Sequence, residues 1–155
     1  MAADEINYRR FFDINTLAAL RIERRGVFEA TQALPLELAA AGVADGLRID
    51  HPDGLRDPAQ YFRRLQRGYA RRAGIVLPEA PGQRPARPLY LVAEKITASH
   101  EDVPEAWALH GTTGYRFASL LNGLFVDADM VTKFDRVWRG FSHDAEPFDD
   151  HVYRG

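Results

Sequence analysis

The chain has 155 residues, 46% of them hydrophobic, a formal charge of −2 and no cysteine. That length supports one domain with a sizeable core, and the charge gives no attraction toward nucleic acid or an anionic membrane. The missing cysteines exclude disulfide and thiolate chemistry, and no apolar run reads as a transmembrane span or signal peptide, so a cytoplasmic protein is expected.

Residues 5–25 place Tyr8, Phe11 and Phe12 among Asn7, Arg9, Arg10, Asp13 and Asn15. Rings interleaved with amide and guanidinium groups suit a sugar surface, where rings stack and planar groups bind hydroxyls. A half-buried loop and short helix fits the same pattern. Residues 27–41 read as a helix with Phe28, Leu34 and Leu38 on one face. Pro35 should kink or divide it, and Gly42 suits the C′ position.

The stretch Gly46-Leu47-Arg48-Ile49-Asp50 alternates as a strand, with Leu47 and Ile49 on one side and Arg48 and Asp50 on the other. Pro52 and Gly54 then end it in a turn. Asp57 and Pro58 start a helix, as N-cap and first helical residue. Tyr61, Phe62, Leu65 and Tyr69 give it an apolar stripe. Arg63, Arg64, Arg67, Arg71 and Arg72 fall mostly opposite, which reads as a solvated face rather than a nucleic-acid patch.

Residues 78–88 hold four prolines and form an exposed connection. Residues 89–96 are near-continuously apolar, as expected of a parallel strand buried on both faces. Tyr90, Val92 and Glu94 share one of those faces. Residues 97–109 are irregular. Gly111-Thr112-Thr113-Gly114 lacks the lysine of a phosphate loop, so that reading fails. Residues 115–125 predict a helix with Tyr115, Ala118, Leu121 and Phe125 inward. Residues 127–139 predict another helix, and the final 15 residues are polar.

Two parallel strands joined by a crossover helix, each ending in a carboxylate, place Asp50 and Glu94 on one rim. Retaining glycosidases hold such a pair about 5–5.5 Å apart, one as nucleophile and one as acid/base. The rival chemistry is a metal site drawn from Asp50, His51, Asp53, Glu94 and His100, although no His-x-x-x-His spacing supports it. His51 also reads as an ordinary hydrogen-bonding residue, Asp53 as a turn-former, and Glu94 as a structural ion-pair member.

Gly46 to Leu55 as a block resembles the maltooligosyltrehalose synthases, a branch of the α-amylase family. Asn7-Tyr-Arg-Arg-Phe-Phe-Asp-Ile-Asn-Thr-Leu, Ala93-Glu-Lys-Ile, His110-Gly-Thr-Thr-Gly-Tyr and Asn122-Gly-Leu-Phe-Val-Asp resemble it too. The resemblance implies an α/β fold, part of an incomplete (β/α)8 TIM barrel of parallel strands and crossover helices. Residues 1–155 would form one partial catalytic domain. It also implies Asp50 as nucleophile and Glu94 as general acid/base. Arg48, His51, Asp53, Asn7, Arg9 and Lys95 would bind substrate, with no metal and no cofactor.

The implied reaction is an intramolecular transglucosylation, turning the terminal α-1,4 bond of a maltooligosaccharide into α,α-1,1. The family's signature before this region, and its later third carboxylate, are not found here. The chain is therefore expected to be a central fragment, inactive alone and open to self-association through its sheet edges. A maltodextrin-binding remnant and an α-glucan hydrolase remain the alternatives.

Overall fold

A computed structural model describes residues 19–78, 84–98, 100–144 and 146–154. They fall into two compact units, Met1–Tyr115 and Arg116–Gly155. Asn7 and Arg9, with the rest of the aromatic segment, lie outside the described residues, as do residues 79–83 of the proline-rich connection.

The first unit opens with α1, Arg25–Ala40. Its buried side chains are Phe28, Leu36 and Ala39. Leu34 and Leu38, expected inside, are exposed. At about 100° per residue, Phe28, Leu36 and Ala39 share one stripe, and the two leucines fall off it. Pro35 neither divides nor ends the helix. Its missing N–H would have served the carbonyl of Thr31, an exposed residue that water can reach. Gly42, at φ +70, closes the end, with its N–H on the Ala39 carbonyl at 3.1 Å.

Strand β1 is Gly46–Ile49, and a short 3-10 turn, Pro52–Gly54, follows it. A Cβ on Gly46 would lie 2.6 Å from the Tyr90 carbonyl oxygen, so only glycine lets the neighbouring strand approach this closely. Helix α2, Pro58–Arg72, starts as its sequence requires: the Asp57 carboxylate accepts from the Gln60 N–H at 2.8 Å, and Pro58 takes the first position. Its apolar stripe buries Tyr61, Phe62 and Leu65, and burial pushes the Tyr61 hydroxyl up to about 12.

Strand β2 is Tyr90–Ala93 and β3 is Gly111–Thr112. The sheet is parallel throughout, in the order β1-β2-β3. β3 was not predicted, because a Gly-Thr pair has no apolar alternation. Pairing alone creates it: the His110 N–H reaches the Leu91 carbonyl at 2.7 Å, and the Thr113 N–H reaches Ala93 at 3.0 Å.

The core lies between α2 and one face of this sheet. Leu89, Leu91 and Ala93 meet Phe62, Leu65 and Trp107 there. The Phe62 and Trp107 rings sit 5.3 Å apart, within ordinary aromatic contact. In the middle, buried Gln66 bonds backbone on both sides. Its Nε2 donates to the carbonyls of Leu89 (2.9 Å) and Ala108 (2.8 Å), and its Oε1 accepts from the Leu89 N–H at 2.8 Å.

α3, Tyr115–Gly123, runs from the end of the first unit into the second. The second unit continues with a 3-10 turn, Ala128–Met130, then α4, Val131–Ser142, and α5, Phe148–Arg154. The last helix falls in sequence read as polar tail. No residue of α3 or α4 is buried among the described residues, and Leu121 and Phe125, predicted inward, are exposed. The periodicity was real, but no described element covers those faces. Among the described residues no helix is long and apolar enough to cross a membrane.

Candidate active site

Asp50 follows the last residue of β1, and Glu94 follows the last residue of β2. Ile49 pairs with Ala93 in register, and the Glu94 N–H bonds the Ile49 carbonyl at 2.8 Å, so the two acids leave the sheet side by side. Alternation puts Arg48, Asp50, Val92 and Glu94 on one face. That face is open: Arg48, Asp50 and Tyr90 are exposed. The expectation that β2 is buried on both faces therefore holds on one face only, because no described element packs against the other.

One guanidinium bridges the acids. Arg48 Nε lies 2.9 Å from Asp50 Oδ1, and Arg48 Nη2 lies 3.5 Å from Glu94 Oε1. Both oxygens touching one planar group keeps them within roughly 9 Å of each other, a bound that admits the retaining separation of about 5–5.5 Å. In water such exposed pairs add little stability, so the contact counts for geometry. A third group joins it that the sequence did not mark: the Tyr115 hydroxyl donates to Glu94 Oε1 at 3.2 Å. Tyr115 lies 21 positions from Glu94, and no local pattern could have tied them. Close by in the chain, the Thr113 hydroxyl is buried without a hydrogen-bond partner among the described residues.

His51 directly follows Asp50 and adopts the left-handed region, at φ 44 and ψ 55. A non-glycine residue there is strained by about 1 kcal/mol. Gly54 makes room for its ring: a Cβ at Gly54 would lie 2.7 Å from His51 Nδ1. Backbone strain of this kind clusters at functional sites.

Lys95 points the opposite way from Glu94, into the covered face. Its side chain is only 5% exposed. The ammonium bonds both oxygens of Asp53, at 3.0 and 2.9 Å, and Glu101 Oε1 at 2.6 Å. It thus ties the turn after β1 to the loop after β2. Burial pulls the Lys95 ammonium down, but the bonds from Glu101 and Asp53 outweigh it, and the net shift is up. The bond from Lys95, then the Ala98 N–H, holds the Glu101 carboxyl below its ordinary 4.5.

A depressed carboxylate stabilises the fold above its ordinary value, and the benefit fades as pH falls through the lowered one. A raised lysine stabilises fully below 10.5 and loses this above it. The network is therefore strongest between those limits. Lys95→Met should cost about 2 kcal/mol at pH 7, since the partner carboxylates stay partly hydrated, and clearly less at pH 3. Urea titrations at both pH values check this; an equal loss at both would rule out the ion-pair account.

Among the described residues, Asp50, His51, Asp53, Glu94 and His100 do not gather as metal ligands. The group that does is Asp144, Glu146 and His151, with ligand atoms within 4.8 Å of one another. There His151 Nε2 already contacts Asp144 Oδ2 at 2.9 Å. His110 supports the sheet: its Nδ1 accepts from the Leu91 N–H at 3.2 Å, and its ring lies 5.0 Å from that of Tyr90.

No family model matches the chain. A curated relative, the putative maltooligosyl trehalose synthase of Mycobacterium tuberculosis, is 37% identical over 120 residues, which is 77% of this chain and 14% of that protein. The solved maltooligosyltrehalose synthase from Arthrobacter ramosus superposes with a TM-score of 0.69 at 34% identity, covering 93% of this chain and 17% of the other. This chain is homologous to a short segment of maltooligosyltrehalose synthase. A solved structure named DSM5389 glycosyltrehalose synthase agrees, with a TM-score of 0.70 at 31% identity over 93% of this chain. The chain therefore corresponds to less than a fifth of each synthase, a partial α/β domain.

Proposed function

We propose that this segment supplies the nucleophile and the acid/base of a maltooligosyltrehalose synthase. The observation that carries the reading is the pair of acids at adjacent parallel strand ends, held on one arginine. In this reading β1, β2 and β3 are consecutive strands of a (β/α)8 barrel, whose catalytic groups sit at the strands' C-terminal ends. The open face bearing Arg48 and Tyr90 is the one a closed barrel would fill.

Asp50 attacks the anomeric carbon of the penultimate glucosyl unit, while Glu94 gives its proton to the glycosidic oxygen. The α-1,4 bond breaks, leaving a glycosyl ester on Asp50 and a free glucose. Glucose stays bound and turns. Its anomeric hydroxyl attacks the anomeric carbon of the glycosyl ester, Glu94 takes the proton, and the bond from that carbon to the Asp50 oxygen breaks, freeing the carboxylate and leaving an α,α-1,1 link. The enzyme is thereby an isomerase, with maltooligosaccharide as both donor and acceptor, and water must be kept out.

Arg48 orients both acids. His51 and Asp53 would line the reducing-end subsites where glucose turns, with Asn7 and Arg9 also on substrate. Lys95 contributes to binding by holding Asp53 in place. The small share of the synthase covered supports an isolated chain without turnover, whose β1 and β3 edges, unpaired among the described residues, favour self-association. The cysteine-free sequence accords with a cytoplasmic setting.

The test is to graft this segment in place of its counterpart in the Arthrobacter ramosus synthase and assay maltopentaose. Trehalose-ended product from the graft, and none from the isolated chain, is expected. A folded graft without turnover, or an isolated chain that forms the product, would overturn the reading. Maltodextrin binding unaffected by Asp50→Asn and Glu94→Gln would point instead to a glucan-binding remnant.

A further inference from the structure

Lys95 is the next residue after Glu94, and its ammonium bonds Asp53, three residues beyond Asp50. On the sheet side, the Glu94 N–H holds the carbonyl of Ile49, the residue before Asp50, at 2.8 Å. The two short segments that carry the acids are therefore cross-linked twice. Strand pairing joins them beneath the rim, and the Lys95–Asp53 pair joins them beyond it. Glu101 Oε1, 2.6 Å from the same ammonium, extends the link into the loop after β2.

Lys95 has the surroundings of a strut rather than of a sugar ligand. Its three ammonium donors meet three carboxylate oxygens, two of Asp53 and one of Glu101, so none is left for a substrate hydroxyl. The side chain is nearly covered, and Nζ lies 5.8 Å from the centroid of the Trp107 ring, which is itself buried against Phe62 of α2. A cation held over an indole face gains further attraction where water is scarce. The turn that Lys95 grips is anchored on its other sides by apolar contacts: Pro52 is buried, and Leu55 packs against the core. One ionic tie thus completes the fixing of the turn that begins at His51.

The reaction proposed above divides after its first step. The glycosyl ester on Asp50 faces two nucleophiles. Attack by the retained glucose gives the α,α-1,1 link. If glucose leaves, a water attacks the same anomeric carbon, Glu94 takes its proton, and the bond to the Asp50 oxygen breaks, releasing a shortened maltooligosaccharide. Water is abundant and needs little alignment, whereas one glucose must be kept and turned. Slack in the loops beyond the strand ends therefore slows isomerisation more than hydrolysis. We infer that Lys95, by strapping the Asp53 turn to the loop after β2, is a positioning residue that retains the freed glucose and sets the ratio of isomerisation to hydrolysis. This role rests on the function proposed above and adds to it the fate of the glucose.

Product analysis of the grafted synthase on maltopentaose tests it. Lys95→Met should raise the glucose released per trehalose end formed by about tenfold. Glu101→Gln removes one of the two carboxylates and should raise it by about threefold. Lys95→Arg keeps the charge and can fork onto both carboxylates, so its ratio should stay within about twofold of the parent. The ratio counts only molecules that have passed the first step, so a smaller folded fraction does not move it. Should Lys95→Met fail to fold, Glu101→Gln decides, because that side chain is 40% exposed and its loss opens no core. An unchanged ratio in the deciding variant, or a rise in Lys95→Arg as large as in Lys95→Met, would overturn the inference and leave the proposed function standing. A folded parent graft that forms no trehalose-ended product would overturn both.

Discussion

In a synthase built around this segment, Asp50→Asn is expected to lower kcat for trehalose-end formation by about 10⁴-fold or more, with KM little changed. Asparagine keeps the shape and can still meet Arg48, but it cannot form the glycosyl ester. Glu94→Gln should cost a similar factor on maltopentaose for another reason: nothing protonates the leaving oxygen. An α-maltosyl fluoride needs no such proton. It should restore ester formation in the Glu94→Gln enzyme, seen as a burst of fluoride, and leave the Asp50→Asn enzyme inert. Fluoride release by both variants, or by neither, would break the assignment of roles. Tyr115→Phe removes the hydroxyl on Glu94 Oε1, and it should lower kcat while sparing KM, because the hydroxyl helps to orient the carboxyl.

Gln66→Leu should destabilise the first unit by about 3 kcal/mol or more, although the two side chains nearly match in volume. Gln66 is 1% exposed, and its loss strands the Leu89 N–H and the carbonyls of Leu89 and Ala108 in a region that water does not reach. Each buried group left unpaired costs about 1–3 kcal/mol. Gln66→Glu should fail as well, since a carboxylate still accepts from Leu89 but faces two carbonyl oxygens. Urea unfolding at constant m-value reads the loss. A leucine variant within about 0.5 kcal/mol of the parent would mean that these backbone groups find other partners. The residue matters to the site because it joins α2 to the start of β2 and to the segment before β3.

The two stretches that end in Asp50 and Glu94 were legible because strand grammar is local. Alternation, a proline and a glycine decide where β1 stops and which face Arg48 shares with Asp50, and the resemblance to the synthases rests on those same residues. The start of α2 was legible for the same reason, since a capping aspartate and a proline act within one turn. The inward face of α3 was legible as pattern but not as burial, which depends on what packs against it.

Amino-acid order alone determined the parallel strand–helix–strand unit, the acids at its two strand ends and the arginine beneath one of them. Tertiary structure decided what spacing along the chain cannot encode. It made β3 a strand by pairing, brought the Tyr115 hydroxyl to Glu94, and sent Lys95 away from the rim to hold Asp53 and Glu101. Apart from Glu101, six residues from Lys95, the deciding partner in each case lies at least 19 residues away, where only folding can make two groups neighbours.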